Sequence, residues 1–176
     1  REVLEELGDS IDMLSYHNYY KIDGDNKVQE TEERIAQLIS EIKAITGDDR
    51  IKVYQSEHAS NRVNASTTAG YDFVMPHTMK GTLATAEYFL RMMWHPEVVA
   101  ATYHSTHSSS WCIAYRDDDG IMKRSAIGDL LKMMKDYACG NVVESNFEGF
   151  KQFEAANVMG QALKTEKGLN IVLVNN

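Results

Sequence analysis

The chain is poor in cysteine, in basic residues and in long apolar runs, and each shortage excludes a class of protein. Cys112 and Cys139 are its only cysteines. They are too few for a disulfide framework and lack the short spacing of a metal knuckle, so both read as ordinary thiols. Eighteen Lys and Arg stand against 26 Asp and Glu, giving a formal net charge of -8. Phosphate binding needs clustered cations, so no nucleic-acid partner is expected, while a neutral or cationic ligand stays open. No apolar run approaches the roughly 20 residues of a membrane span. Arg1-Glu2-Val3-Leu4-Glu5-Glu6-Leu7 also lacks the cationic-then-apolar order of a signal peptide. No membrane partner is expected, and an upstream region could still carry an export signal, so cytoplasmic and secreted locations both stay open. Hydrophobic residues make up 43% of the 176, enough for one substantial core with room for a small appendage.

Val3, Leu4 and Leu7 have helical spacing and Gly8-Asp9 stops them, which reads as the last turns of a helix that began upstream. Ile11 to His17 predicts a strand with His17-Asn18-Tyr19-Tyr20 at its C-terminal end. After the Asp23-Gly24-Asp25-Asn26 loop, Ile35, Leu38, Ile39, Ile42 and Ile45 predict an amphipathic helix over Thr31 to Ile45. Ile51 to Ala59 predicts a second buried strand that delivers Glu57 at its C-terminal end. Strand, helix and strand with short joins make a βαβ unit, which requires a parallel sheet. Ala59 to His77 reads as a long polar loop. Thr78 or Thr82 opens a helix whose methionines are core filler, and Pro96 ends it. Val98 to Tyr103 predicts a third strand, followed by the polar exit His104 to Trp111. Trp111 to Tyr115 reads as a short strand and Ala126 to Tyr137 as a helix. Strands near Asn141 to Ser145, Ala156 to Lys164 and Leu169 to Asn175, with a turn at Glu166-Lys167-Gly168, predict antiparallel packing.

Three successive strands with polar and aromatic groups at one end behave like the catalytic rim of a (β/α)8 barrel. The order Leu14-Ser15-Tyr16-His17-Asn18-Tyr19-Tyr20, then Glu57, then Gly81-Thr82-Leu83, then Val98-Val99-Ala100-Ala101 resembles the last part of the barrel of clan A glycoside hydrolases. Within that clan it is most similar to the family 51 α-L-arabinofuranosidases. The resemblance implies an α/β fold: the C-terminal portion of a (β/α)8 TIM barrel over residues 1-140, followed by part of an antiparallel β-sandwich over residues 141-176.

It also implies roles. Glu57 matches the nucleophile of a retaining glycosidase and Tyr19 the tyrosine that hydrogen-bonds it. His17, Asn18, Tyr19, His58, His104, Ser105 and Trp111 are the expected substrate contacts. Such an enzyme needs an ionised carboxylate at the anomeric carbon and a second carboxyl about 5 to 5.5 Å away. In the clan that second group comes from an Asn-Glu pair on the fourth strand, and nothing before Ile11 supplies it. A whole barrel takes about 250 residues, so the expected partners are a carbohydrate and the missing N-terminal barrel half or a partner chain. Unclosed parallel edges predict homo-oligomerisation. Ser56 and His58 stand where the family has Asp and Trp, and Ser105 where it has a substrate-binding Gln, which bears on the identity of the sugar.

Other chemistries are weaker. His104 and His107, with His58 or His17, bring no convincing acidic ligand, so neither metal nor cofactor is expected. Ser105 to Ser110 lack the Gly-x-Ser-x-Gly elbow of a serine nucleophile. Trp111 is either a stacking platform for a sugar or a core residue. Asp117-Asp118-Asp119 reads as a solvated turn, since calcium would need further oxygen ligands. A carbohydrate-binding or structural remnant of the same barrel is the non-enzyme alternative.

Overall fold

The computed structural model describes residues 1-21, 27-63, 71-72, 78-106, 111-145 and 158-175. A short helix α1 (Glu2–Leu7) and one 3-10 turn (Gly8–Ser10) lead into strand β1 (Met13–Lys21). Then come α2 (Lys27–Thr46), β2 (Lys52–Val63), β3 (Tyr71–Asp72), α3 (Met79–Met92) and β4 (Val98–Tyr103). β2 is the centre of the first sheet, with β1 and β4 parallel to it on either side. β3 pairs antiparallel with the far end of β2 at Arg62 and Val63.

The apolar stripe anticipated on α2 is what packs this sheet. Ile35, Ile39 and Ile42 of α2 meet Ala84, Tyr88 and Met92 of α3 over Tyr20, Ile51 and Val53. These positions recur every three or four residues on the helices and every second residue on the strands, so each element turns one face into the core. Thr78 caps α3, its side chain accepting from the Gly81 N–H at 3.2 Å. Outside the core, Glu32 of α2 meets His95 Nε2 at 2.6 Å and Arg91 Nη1 at 3.7 Å, clipping the two helices together.

A second layer forms on the other side of α3. The hairpin β5 (Ala114–Arg116) and β6 (Met122–Arg124) precedes α4 (Ala126–Tyr137), and β7 (Asn141–Val143), β8 (Val158–Thr165) and β9 (Gly168–Asn175) make an antiparallel sheet. Ala86 and Leu90 of α3 pack with Leu130 of α4 and Val174 of β9. α3 is therefore buried on two faces, which is why its sequence is apolar around so much of its circumference. Gly168 in the β8–β9 turn has φ +145°, a backbone state that only glycine adopts without strain.

Three expectations change. β1 and β2 continue through Lys21 and Val63, because the ladder between them extends as far as Lys21 and Asn61. His17, Tyr19 and Glu57 thus lie within strands rather than at their exits, and Ala59 begins no loop. α2 begins at Lys27, one turn before Thr31. The first tail strand ends at Val143, and the Asp23 to Asn26 loop and most of the 64-77 stretch lie outside the described residues.

Candidate active site

A plain strand alternates faces, so the buried Val53 and Gln55 of β2 would carry Glu57 to the helix-covered side with them. A register shift prevents this. Tyr16 pairs with Gln55 but His17 pairs with Glu57, leaving Ser56 as an extra residue against β1. β4 sees the same insertion, since Gln55 pairs with Ala101 and His58 with Tyr103. This is a β-bulge, and it turns Glu57 to the face that carries His17 and Tyr19.

On that face the Tyr19 phenol donates a hydrogen bond to Glu57 Oε1. His17 Nδ1 lies 3.9 Å and His104 Nδ1 3.6 Å from Glu57 Oε2. The carboxylate side chain keeps 28% of its surface open, so it is held at Oε1, flanked by two imidazoles at Oε2, and still reachable.

His104 reaches Glu57 from the end of β4. Its N–H donates to the His58 carbonyl at 2.9 Å, and its peptide bond to Ser105 is cis. The Ser105 N–H donates to the Trp111 carbonyl and the Ile113 N–H to the Ser105 carbonyl, tying the β4 exit to the chain beyond it. Trp111 Nε1 donates to the Ser60 carbonyl at 3.0 Å. The Trp111 ring then stands 5.6 Å from both Tyr19 and His104. Tyr19, His104 and Trp111 form a tilted aromatic wall beside the carboxylate, within the separation at which rings attract.

Asn18 and His58, expected among the sugar contacts, lie on the opposite face. Asn18 follows His17 and so points the other way, where Nδ2 donates to Gln55 Oε1 at 3.0 Å. The Tyr88 hydroxyl donates to the same oxygen at 3.2 Å. His58 is fully buried, its ring 4.5 Å from Tyr88 and 4.9 Å edge-on to Phe89. Burial lowers its pKa to about 3, so it stays neutral at ordinary pH. The Ser105 hydroxyl is also buried and makes no hydrogen bond among the described residues. His107 to Ser110 lie outside the described residues, and with them most of the alternative metal and serine clusters. Among the described residues, no group of three or more His, Cys, Asp or Glu is arranged to hold a metal ion.

Sequence reasoning missed Gln55, Tyr20, Tyr88 and Thr85, which tie the helix-side face of the sheet to α3. The Tyr20 hydroxyl donates to Thr85 Oγ1 at 3.0 Å. Their signal was present as polar groups at positions that the strand and helix periods bury.

No family model matches the chain, and no curated protein matches it. Solved structures do. The GH86 protein BuGH86 in complex with neoagarooctaose superposes with a TM-score of 0.66 at 14% identity, over 98% of this chain and 28% of that one. The GH51 arabinofuranosidase from Xanthomonas axonopodis pv. citri gives 0.63 at 18%, over 99% of this chain and 40% of that one. AbfB, a family 51 α-L-arabinofuranosidase from Bifidobacterium longum, gives 0.62 at 12%, over 98% and 40%. At these identities the likeness speaks for the fold: a mixed α/β chain built like clan A glycoside hydrolase barrel proteins, spanning less than half the length of each.

Proposed function

We propose that the chain is the C-terminal part of a retaining glycoside hydrolase with Glu57 as its nucleophile. Residues 1-140 form the last three strand-helix units of the catalytic barrel, and residues 141-176 open a β-sandwich. The observation that carries this reading is the Tyr19 to Glu57 hydrogen bond on the open face of the parallel sheet, with His17 and His104 at the second carboxylate oxygen. The fold shared with clan A glycosidases supports it.

In the first step a Glu57 oxygen attacks the anomeric carbon while the glycosidic bond breaks, and a second carboxyl protonates the departing oxygen. In the second step water, deprotonated by that same group, releases the sugar and regenerates the carboxylate. Tyr19 orients Glu57 throughout, so the reacting oxygen starts aligned. The wall of Tyr19, His104 and Trp111 offers aromatic surface to the C–H groups of a sugar ring. The acid/base comes from the rest of the barrel, whether carried by the same chain or by a partner. β1 and β4 each pair only with β2 among the described residues, so they supply the edges on which those strands, or a second copy, would add. Terminal arabinofuranosides on plant or algal polysaccharides are the first substrates to try, in keeping with the two GH51 neighbours.

The test is made on the complete product of the gene. Glu57→Gln should abolish hydrolysis of aryl glycosides without changing the circular dichroism spectrum, and azide should rescue Glu57→Ala. The 176-residue chain alone should show no turnover, for want of a proton donor. Wild-type turnover by Glu57→Ala would refute the assignment. Retained sugar binding by a complete protein that lacks all turnover would instead favour a carbohydrate-binding remnant.

A further inference from the structure

We infer that Ser15 and Ser56 are positioning residues, a hydroxyl clasp that fixes the β2 bulge and thereby aims Glu57. The inference rests on the role proposed for Glu57 and adds how that role is built.

In an unbroken strand, neighbouring side chains point to opposite faces. Here Ser56 and Glu57 are neighbours, yet both meet the same row of β1. Ser56 Oγ lies 2.5 Å from Ser15 Oγ, while Glu57 meets Tyr19 and His17. Ser15, His17 and Tyr19 are alternate residues of one strand and therefore share one face. β1 thus grips the bulge at two points, a hydroxyl below and a phenol above, with the carboxylate between them.

The insertion is seen by both neighbouring strands at the same place, so it belongs to β2 itself. Its effect continues up the strand. Gln55 and His58 both face α3, although they are three positions apart, and Glu57 is turned away from the helices. Were Ser56 an ordinary residue of an unbroken strand, Glu57 would follow Gln55 into the layer occupied by Asn18 and Tyr88. A buried carboxylate there would lack a cationic partner, and no sugar could reach it.

Serine suits both positions. A hydroxyl donates and accepts, so either partner can supply the proton, and the short side chain loses little freedom on being held. Bulges beside active sites commonly serve to re-aim a side chain. A displacement of about 1 Å at a reacting group can cost about a hundredfold in rate, so loosening the clasp should register in turnover before it registers in stability.

The experiment uses the complete protein. Ser15→Ala and Ser56→Ala should each lower kcat about tenfold with KM nearly unchanged, and the double variant should be no worse than either single one. Ser56→Thr, which keeps the hydroxyl, should recover most of the loss. A crystal structure of the Ser15→Ala/Ser56→Ala double variant should show the Glu57 carboxylate displaced or in more than one position. Wild-type kcat in both alanine variants, with Glu57→Gln inactive, overturns the clasp while leaving the nucleophile assignment standing. Turnover by Glu57→Gln defeats the nucleophile assignment instead, and the crystal structure then decides the clasp. A double variant in which Glu57 keeps its one position and its bond to Tyr19 overturns it outright.

Discussion

Tyr19 holds Glu57 from the neighbouring strand by reaching back along the sheet. Its own register partner on β2 is Ala59, two residues beyond the carboxylate, while His17 lies directly opposite Glu57. The phenol is exposed enough that removing its oxygen leaves no buried orphan. Tyr19→Phe should therefore leave thermal stability nearly unchanged. In the complete protein it should lower kcat by about a hundredfold, the scale seen when one preorganised donor is removed from a reacting site. Steady-state kinetics on an aryl glycoside checks this, and a wild-type kcat would remove Tyr19 from the machinery.

His58 makes stability depend on pH in a defined window. Its pKa falls from 6.5 to about 3 because burial penalises the imidazolium. Between those values the unfolded chain binds a proton that the folded chain does not. The folded state therefore has its full stability above about pH 6.5 and loses it as pH falls, by about 1.4 kcal/mol per unit. Glu97, held below its usual pKa by its hydrogen bond from Lys43, adds an acid-side loss that begins only below its ordinary value of 4.5. Denaturant unfolding at pH 7 and pH 5 should show a loss of about 2 kcal/mol from His58 alone. His58→Phe should flatten that slope, and an unchanged slope would mean that the imidazole is not shielded from protons.

Gly128 offers a prediction whose sign is opposite to helix propensity. It lies in the first turn of α4, where its N–H is capped by Ser125 Oγ at 3.2 Å. Propensity alone would favour alanine there by up to about 1 kcal/mol. A Cβ at this position would stand 2.2 Å from the Ile113 carbonyl oxygen and 3.2 Å from Arg124 Cβ. Backbone cannot yield as a flexible side chain can, so Gly128→Ala should destabilise by about 1 to 3 kcal/mol. A thermal shift upward would show that the β5–β6 hairpin moves aside easily.

The βαβ unit was legible because each of its elements obeys its own period over many residues. Ile35, Ile39 and Ile42 announce a helix, and Ile51 with Val53 a strand. α4 was legible too, because Ile127, Leu130, Leu131 and Met134 recur at helical spacing between Ala126 and Tyr137. The candidate site was legible only in part. His17, Tyr19 and Glu57 stand out as chemical types, and the structure brings them together. The face on which they meet was not legible, because alternation from Gln55 gives the wrong side and only the insertion at Ser56 corrects it. A bulge leaves no composition signal, since serine is unremarkable in either register. Asn18 and His58 were misplaced for the same reason: next to reactive residues in sequence, they point the other way in space.

That alternation supplies a test in which adjacent residues give opposite results. Asn18 donates to Gln55 Oε1 within a buried layer shared with Tyr88, whose hydroxyl lies 3.4 Å from Asn18 Nδ2. Asn18→Ala removes one of the two donors to Gln55 Oε1 and leaves a void in this buried layer, which together cost about 1 to 3 kcal/mol. His17 is the preceding residue, and its side chain is 58% exposed on the other face. His17→Ala should change stability by less than about 0.5 kcal/mol, yet lower the turnover of the complete protein, because it removes one of the two imidazoles beside Glu57 Oε2. Denaturant unfolding and kcat, measured on both variants, separate the two faces of β1. A stability loss from His17→Ala matching that of Asn18→Ala would mean that the strand is not oriented as described, and the position of Glu57 would fall with it.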